Sequence, residues 1–238
     1  MIGERWYPPT PLALIWQQLL LIAPVLLYSM VAHEYAHGWA ALKQGDPTAE
    51  SLGRLTWNPV SHIDPFMTVL LPLMLAFAGA PILGGAKPIP VNPGNFRNIR
   101  RGDIIVSLAG VTANLLIAIG CIPLVVLFGW LGGLMPAAVD PLAILQQMAI
   151  YGIFLNMILV VFNLLPIPPL DGSHVFKYLL PMPLARAYTR LAGAGILVLL
   201  AFMYFVPGFR AVVLGPALFV RSLAERLYFP FLLPNPLS

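Results

Sequence analysis

The sequence has little charge. Asp, Glu, Lys and Arg together make up 9% of its 238 residues, against about 25% in ordinary soluble domains. So few ionisable groups cannot clothe a water-facing surface, and with 59% hydrophobic residues the chain reads as an integral, multi-pass membrane protein. Cysteine is almost missing: Cys121 stands alone in an apolar run, which excludes a disulfide framework and any multi-cysteine metal site and leaves it the role of a small buried residue. Acidic residues number only 9 and histidines 4, so metal or acid–base chemistry has few places to reside. The net charge of +4 is modest and its cations lie between apolar segments, which is membrane topology and carries no nucleic-acid footprint. Also lacking is a basic N-terminal stretch followed by a short apolar run and a small-residue cleavage site, so the first apolar segment is expected to be a retained helix.

What is present is a series of long apolar runs. The first extends from Leu12 to Lys43, carries Pro24 inside it, and stops at Gly45-Asp46-Pro47. A polar stretch then leads to an apolar run from Pro65 to about Leu83, followed by Gly84 to Gly94, whose proline density forbids helix. Further helix-like runs cover Asp103 to Leu131, Ile144 to Leu165, Ala187 to Val206 and Ala211 to Leu227, and the tail from Phe229 to Ser238 is expected to be irregular. With about 20 residues needed per span, the expectation is an all-α membrane protein: a bundle of about five transmembrane helices plus a re-entrant or extended segment at about 65–102. Residues 1–238 are read as one domain, with a core over about 12–180 and C-terminal helices over about 187–228.

Cation placement orients the runs. If the first helix enters from outside and Pro65 to Leu83 dips in and returns, then Lys43, Arg54, Lys87, Arg97, Arg100, Arg101, Lys177, Arg186, Arg190, Arg221 and Arg226 fall on the cytoplasmic side, with Arg5 and Arg210 outside. A full crossing by Pro65 to Leu83 weakens that bias, so a re-entrant segment is expected, its broken backbone covered by protein or lining a wet cavity.

The first helix contains His33-Glu34-Tyr35-Ala36-His37. Histidines at i and i+4 are separated by about 40° around a helix, so both imidazoles reach one metal, and the Glu between them lies beside a metal-bound water. Zinc lowers the pKa of such a water towards about 7 and polarises a carbonyl, and Glu34 is the base that accepts the proton. The bland alternative is an interfacial polar turn solvated at a helix end. It has to explain three polar side chains in an apolar helix, where an unpaired group costs several kcal/mol.

A third ligand must come from His62, His174, Glu50, Asp64, Asp103, Asp140, Asp171 or Glu225. Asp171 fits best. It follows Asn163-Leu164-Leu165-Pro166-Ile167-Pro168-Pro169-Leu170, and these prolines end a spanning helix just before the carboxylate, at the edge where His33 and His37 also lie.

Together these residues resemble the site-2 protease family of intramembrane zinc metalloproteases, peptidase family M50. The hallmarks are H-E-x-x-H in one transmembrane helix and a later N-x-x-P-x-P-x-L-D-G, matched by Asn163, Pro166, Pro168, Leu170, Asp171 and Gly172. The resemblance covers about residues 12–180. It implies one Zn2+ per chain held by His33, His37 and Asp171, Glu34 and Asn163 as catalytic residues, the latter donating to the tetrahedral oxyanion, and a transmembrane protein as substrate. Leu108 to Asn114 is similar to the family's A-G-P-x-A-N stretch, with Val111 in place of proline, and Ser173 stands where many members have a second glycine. Without a PDZ-like or CBS domain the chain resembles a minimal form, expected in the cytoplasmic membrane of a prokaryote with its active site nearer the cytoplasmic face.

The remaining polar residues have ordinary readings beside functional ones. His62 is either a cleft residue or a loop histidine bonded to its neighbours. His174 reads as interfacial, with a supporting role for Asp171 as the alternative. Asn163 also fits a helix-end residue satisfying backbone freed by Pro166, Asn114 an interhelical hydrogen bond, and Arg97, Arg100 and Arg101 a headgroup anchor. A non-catalytic zinc scaffold or transporter would use the same ligands but would not need Glu34. Another H-E-x-x-H protease class would need a late glutamate, for which Glu225 is the candidate.

Overall fold

The computed structural model describes residues 11–71, 73–74 and 84–234, with the side chains of 11–18, 196 and 210 left aside. It is helical, with no strand among the described residues. Helix α1 spans Pro11–Gln44 with Pro24 inside it. It ends where Gly45 takes φ 109°, its N–H donating to Leu42 O (3.1 Å) while Asp46 N–H donates to Ala41 O (2.9 Å). This is the paired closure that a glycine in left-handed conformation allows. The short helix α2 (Thr48–Ser51) follows. Next come a 3-10 turn at Pro59–His62, capped by Asn58, and a π-helical turn at Pro65–Leu70. Asp64 caps that turn by accepting from Phe66 N–H (2.9 Å) and Met67 N–H (2.7 Å).

Most of the expected re-entrant run, residues 72 and 75–83, lies outside the described residues. Its two ends are described, and they meet. Gly85 N–H donates to Met67 O at 3.0 Å, Thr68 Oγ1 to Gly85 O at 2.6 Å and Lys87 N–H to His62 O at 2.7 Å. The chain therefore leaves and returns at one level. Residues 84–92 are then extended without helix, as the proline density requires.

Two long helices complete the centre. Helix α3 (Ile99–Leu134) is capped by Asn98, whose side chain accepts from Arg101 N–H at 2.9 Å. Its 36 residues make about 54 Å of helix against a hydrocarbon core of about 30 Å, so it projects beyond the bilayer. Helix α4 (Val139–Asn163) returns beside it. These two and residues 19–44 of α1 are long and apolar enough to cross a membrane. Then follow α5 (Asp171–Phe176), α6 (Met182–Arg190), α7 (Gly195–Phe205) and α8 (Phe209–Tyr228).

The C-terminal part differs from the sequence expectation. The run Ala187 to Val206 is not one straight span, because Met182–Ala194 and Leu197–Phe205 meet at 82°. If that bent pair counts as one span there are four among the described residues, rather than about five; α8, with Arg221, Glu225 and Arg226, is not among them. Helix α8 also runs opposite to the expected direction. Ala217 packs with Ala118 and Met157, whereas Ala224 and Tyr228 pack with Val125, Ala149 and Ile153. It is therefore parallel to α3, and Arg226 lies at the far end from Arg100 and Arg101. The preceding broken pair does not reverse the chain's side as a straight span would, and a count of apolar runs cannot register this.

Candidate metal centre

His33 and His37 lie one turn apart on the described part of α1, 8% exposed each, with ring centroids 4.5 Å apart and planes at 88°. Asp171 opens α5, where the chain re-enters helix after the proline turn. The closeness of that turn depends on Gly172, since a Cβ there would overlap the carbonyls of Leu164 and Leu165. Asp171 Oδ2 stands 3.2 Å from His33 Nε2 and 3.3 Å from His37 Nε2, and the two nitrogens are 3.0 Å apart. Among the described residues this is the one group of three ligand-type side chains whose donor atoms share such a small volume.

The protons are fixed by what lies behind each ring. His37 Nδ1 is 2.7 Å from Val106 O. A carbonyl only accepts, so Nδ1 carries a hydrogen, and Nε2 is the lone pair of the ring in its neutral form. His33 Nδ1 is 2.6 Å from Asn114 Oδ1. That orientation of the Asn114 amide is forced, because its nitrogen donates to Ser29 O (3.2 Å) and Asn156 Oδ1 (2.8 Å), and Asn156 in turn donates to Ser29 Oγ (2.9 Å) and Gly152 O (2.8 Å). In its neutral form His33 likewise keeps Nε2 as the lone pair. Three ligand-type atoms thus converge within 3.3 Å of one another.

A cation is the group that such an arrangement fits. Ligands about 2.0–2.1 Å from a tetrahedral metal are about 3.3–3.4 Å from one another, close to the separations found. The rings reach this position because α3 offers Gly110 opposite them: a Cβ there would come within 2.5 Å of His37 Nε2 and 2.6 Å of His33 Cε1.

Glu34 is bonded to the extended stretch. Its Oε2 accepts the Ile89 N–H at 2.8 Å, which brings the extended 84–92 stretch against α1 beside the cluster. Asn163 is not in the cluster. Its amide donates to Leu159 O one turn back at 3.0 Å, whereas Phe162 O, the carbonyl that Pro166 leaves without its helical partner, accepts from Leu165 N–H (3.1 Å), so the amide does not serve the backbone freed by Pro166. His62 is buried and bonds to Thr56 O at 2.9 Å, as a loop histidine does. An apolar cavity of about 710 Å³ lies between α1, α3 and α4, but His33, Glu34, His37 and Asp171 do not line it, so the polar chemistry lies elsewhere.

Asn156, Ser29 and Val106 O are parts of the site that the sequence does not mark, and Gly110 is marked there only by the A-G-P-x-A-N likeness. A second cluster, also unmarked, secures α5. Asp103, 4% exposed, receives His174 Nδ1 (3.0 Å), Lys177 Nζ (2.6 Å) and Tyr178 OH (2.9 Å). His174 therefore serves the attachment of the helix that carries Asp171.

The fold and site define a class: a polytopic helical membrane protein with a buried cluster of two imidazoles and a carboxylate whose spacing fits a metal ion. The family model described as peptidase family M50 matches residues 131–206, the stretch that includes Asn163 and Asp171. The chain is 40% identical over 193 residues to YwhC of Bacillus subtilis (strain 168), covering 81% of this chain and 83% of that protein. It is 35% identical over 164 residues to Rip2 of Mycolicibacterium smegmatis (strain ATCC 700084 / mc(2)155) and 34% over 163 residues to Rip2 of Mycobacterium tuberculosis (strain ATCC 25618 / H37Rv). In both Rip2 comparisons the match takes in 68% of this chain and 58% of the relative. Each of these relatives is named "Putative zinc metalloprotease". No solved structure matches the chain. The chain belongs to peptidase family M50, as the paired sequence motifs imply.

Proposed function

We propose that this protein is a zinc-dependent endopeptidase that hydrolyses peptide bonds in or near the transmembrane segments of other membrane proteins. His33, His37 and Asp171 are its zinc ligands and Glu34 its general base. The observation that carries this reading is the convergence of His33 Nε2, His37 Nε2 and Asp171 Oδ2 within 3.3 Å of one another. Relatives named as zinc metalloproteases favour Zn2+ as the ion, one per chain. A set of two imidazoles and one carboxylate leaves the fourth tetrahedral position for water.

When bound, zinc supplies the Lewis acidity that lowers the pKa of a water and polarises the scissile carbonyl. The other steps belong to the chain. Glu34 accepts the proton of the attacking water and hands it to the leaving amine. Asn114 and the Val106 carbonyl hold both rings in the tautomer that keeps Nε2 free. Asn163 is proposed to donate to the developing oxyanion, which requires it to turn away from Leu159 O.

A transmembrane substrate hides its carbonyls in its own helix and must unwind before attack. The extended stretch from Lys87 to Val91 is proposed to receive the unwound strand by edge addition, and its contact with Glu34 supports this. Replacing residues 88–91 by a helix-forming run should abolish cleavage while zinc stays bound. Residues 1–238 act as one catalytic unit in the cytoplasmic membrane of a prokaryote. The active site lies nearer the cytoplasmic face, a reading supported by Lys43, Arg100, Arg101 and Lys177 at that end of the helices.

The test is cleavage of a panel of single-span substrates by the purified protein and by Glu34→Gln, with bound zinc measured in both. Zinc in both and cleavage by the wild type alone is the expected result. Zinc in both and cleavage by neither turns the assignment to a metal scaffold or transporter.

A further inference from the structure

Ile89 stands between Pro88 and Pro90, neither of which has an N–H, so over these three positions the backbone has one donor. That donor is 2.8 Å from Glu34 Oε2. The stretch is fixed on both sides of Ile89 by bonds independent of Glu34. Lys87 N–H donates to His62 O (2.7 Å), the Arg54 guanidinium to Lys87 O (3.2 Å) and Pro88 O (3.3 Å), and Asn92 N–H to Asp46 Oδ2 (2.7 Å). The Ile89 side chain is 7% exposed and lies against Gly38, one turn beyond Glu34 on α1, where a Cβ would overlap its Cδ1. Backbone and side chain of Ile89 are therefore both locked to the helix that carries the base. A glutamate has freely turning side-chain torsions, and a fixed N–H on one oxygen selects a single orientation of the carboxylate.

We propose that Ile89 is a positioning residue whose backbone N–H holds the Glu34 carboxylate in the orientation from which it takes the proton of the attacking water. The flanking prolines leave no competing donor at that point of the edge. This rests on the reading of Glu34 as the general base. It also divides the labour of the extended stretch: the Ile89 N–H serves the enzyme's own carboxylate and not the incoming strand.

Hydrogen–deuterium exchange on the full chain tests the bond without reference to proteolysis, because Pro88 and Pro90 contribute no amide proton. In Glu34→Ala the Ile89 amide should exchange about tenfold faster or more, while Lys87 and Asn92 stay as in the wild type; unchanged exchange at Ile89 overturns the proposal. Ile89→Pro deletes the donor in a stretch already built of prolines. It should keep zinc and KM and lower kcat about tenfold or more, and Ile89→Val, which retains the N–H, should restore kcat. If Ile89→Pro loses zinc, the backbone ester at position 89, which removes the N–H, keeps the Ile side chain and only weakens Pro88 O as the acceptor of Arg54, takes its place in the same assay. A raised KM with unchanged kcat gives the N–H to the substrate and overturns the positioning role. Absence of cleavage by the wild type, with the bond present by exchange, overturns the protease reading and the positioning role with it.

Discussion

Two clusters of histidine and carboxylate border the same short helix, α5, and differ in where their protons are. Around Asp103 every contact pairs a donor with an acceptor: His174, Lys177 and Tyr178 all point hydrogens at one carboxylate. Around Asp171 three ligand-type atoms converge, and the Nδ1 hydrogens of both imidazoles are engaged on the far side of the rings, by Val106 O and Asn114. The first cluster is complete as an ionic attachment between α3 and α5. The second, with both rings neutral, is a set of three electron-pair donors that fits a cation. A carboxylate beside a histidine therefore says little until the partner of the second ring nitrogen is known.

Removing a ligand gives the largest expected effect. Asp171→Asn keeps the shape but replaces the anionic ligand, and should reduce both bound zinc and proteolysis to background. Asp103→Asn should leave zinc measurable. A chelator titration on the two variants breaks the comparison if both respond alike.

Next come the groups that set the tautomers and make room for the rings. Asn114→Ala removes the acceptor behind His33 and leaves Asn156 and Ser29 with an unmet partner. Zinc affinity should fall by about 10–100-fold, as measured by competition with a fluorescent chelator. Gly110→Ala places a methyl group where the imidazoles stand and should weaken zinc binding by a similar factor; wild-type affinity in this variant would mean that the rings are not seated against α3.

The ionic attachment comes third. Asp103→Asn weakens charge-assisted bonds, each worth about 1.5–3 kcal/mol, so thermal unfolding should occur several degrees lower and zinc affinity should fall by about tenfold or less as α5 loosens. Because Asp103 is buried, added salt should change this attachment little.

The smallest effect concerns Asp46, at the junction of α1 and the extended stretch. Burial would push its carboxyl up, but the Thr48 hydroxyl, the Asn92 N–H and the Asn95 amide together hold it below the usual carboxylate range. Its folded pKa is depressed, so its contribution is full at neutral pH and is lost as pH falls through the folded value. Asp46→Asn should therefore lower stability at pH 7 and flatten the acid limb of the unfolding profile; an unaltered acid limb would separate Asp46 from it.

Much of the core was legible. Apolar run length located α1, α3 and α4, and the period of the helix put His33 and His37 on one side of α1. The prolines before Asp171 marked the end of α4 and the start of a polar turn. Asn114 was recognisable as an interhelical residue, though its double duty towards His33 and Asn156 was not. Proline density also located the extended stretch, but its contact with Glu34 spans 55 positions and leaves no local trace. Asn163 bonds within its own helix, which the motif alone does not indicate. The direction of α8 was misjudged because an apolar run reads the same whether it crosses straight or bends by 82°.

The sequence by itself determined which segments avoid water, where they stop, and which side chains bear metal-binding chemistry, because these follow from transfer energies, proline geometry and helical period over neighbouring residues. Only the tertiary structure brought Asp171 Oδ2 within 3.3 Å of both imidazole nitrogens, turned each Nδ1 hydrogen towards Val106 O or Asn114 Oδ1, and set Gly110 where it leaves space for the rings. Those outcomes depend on atoms from three helices coming within hydrogen-bond distance, and such proximity is a property of packing, to which no local pattern in the chain corresponds.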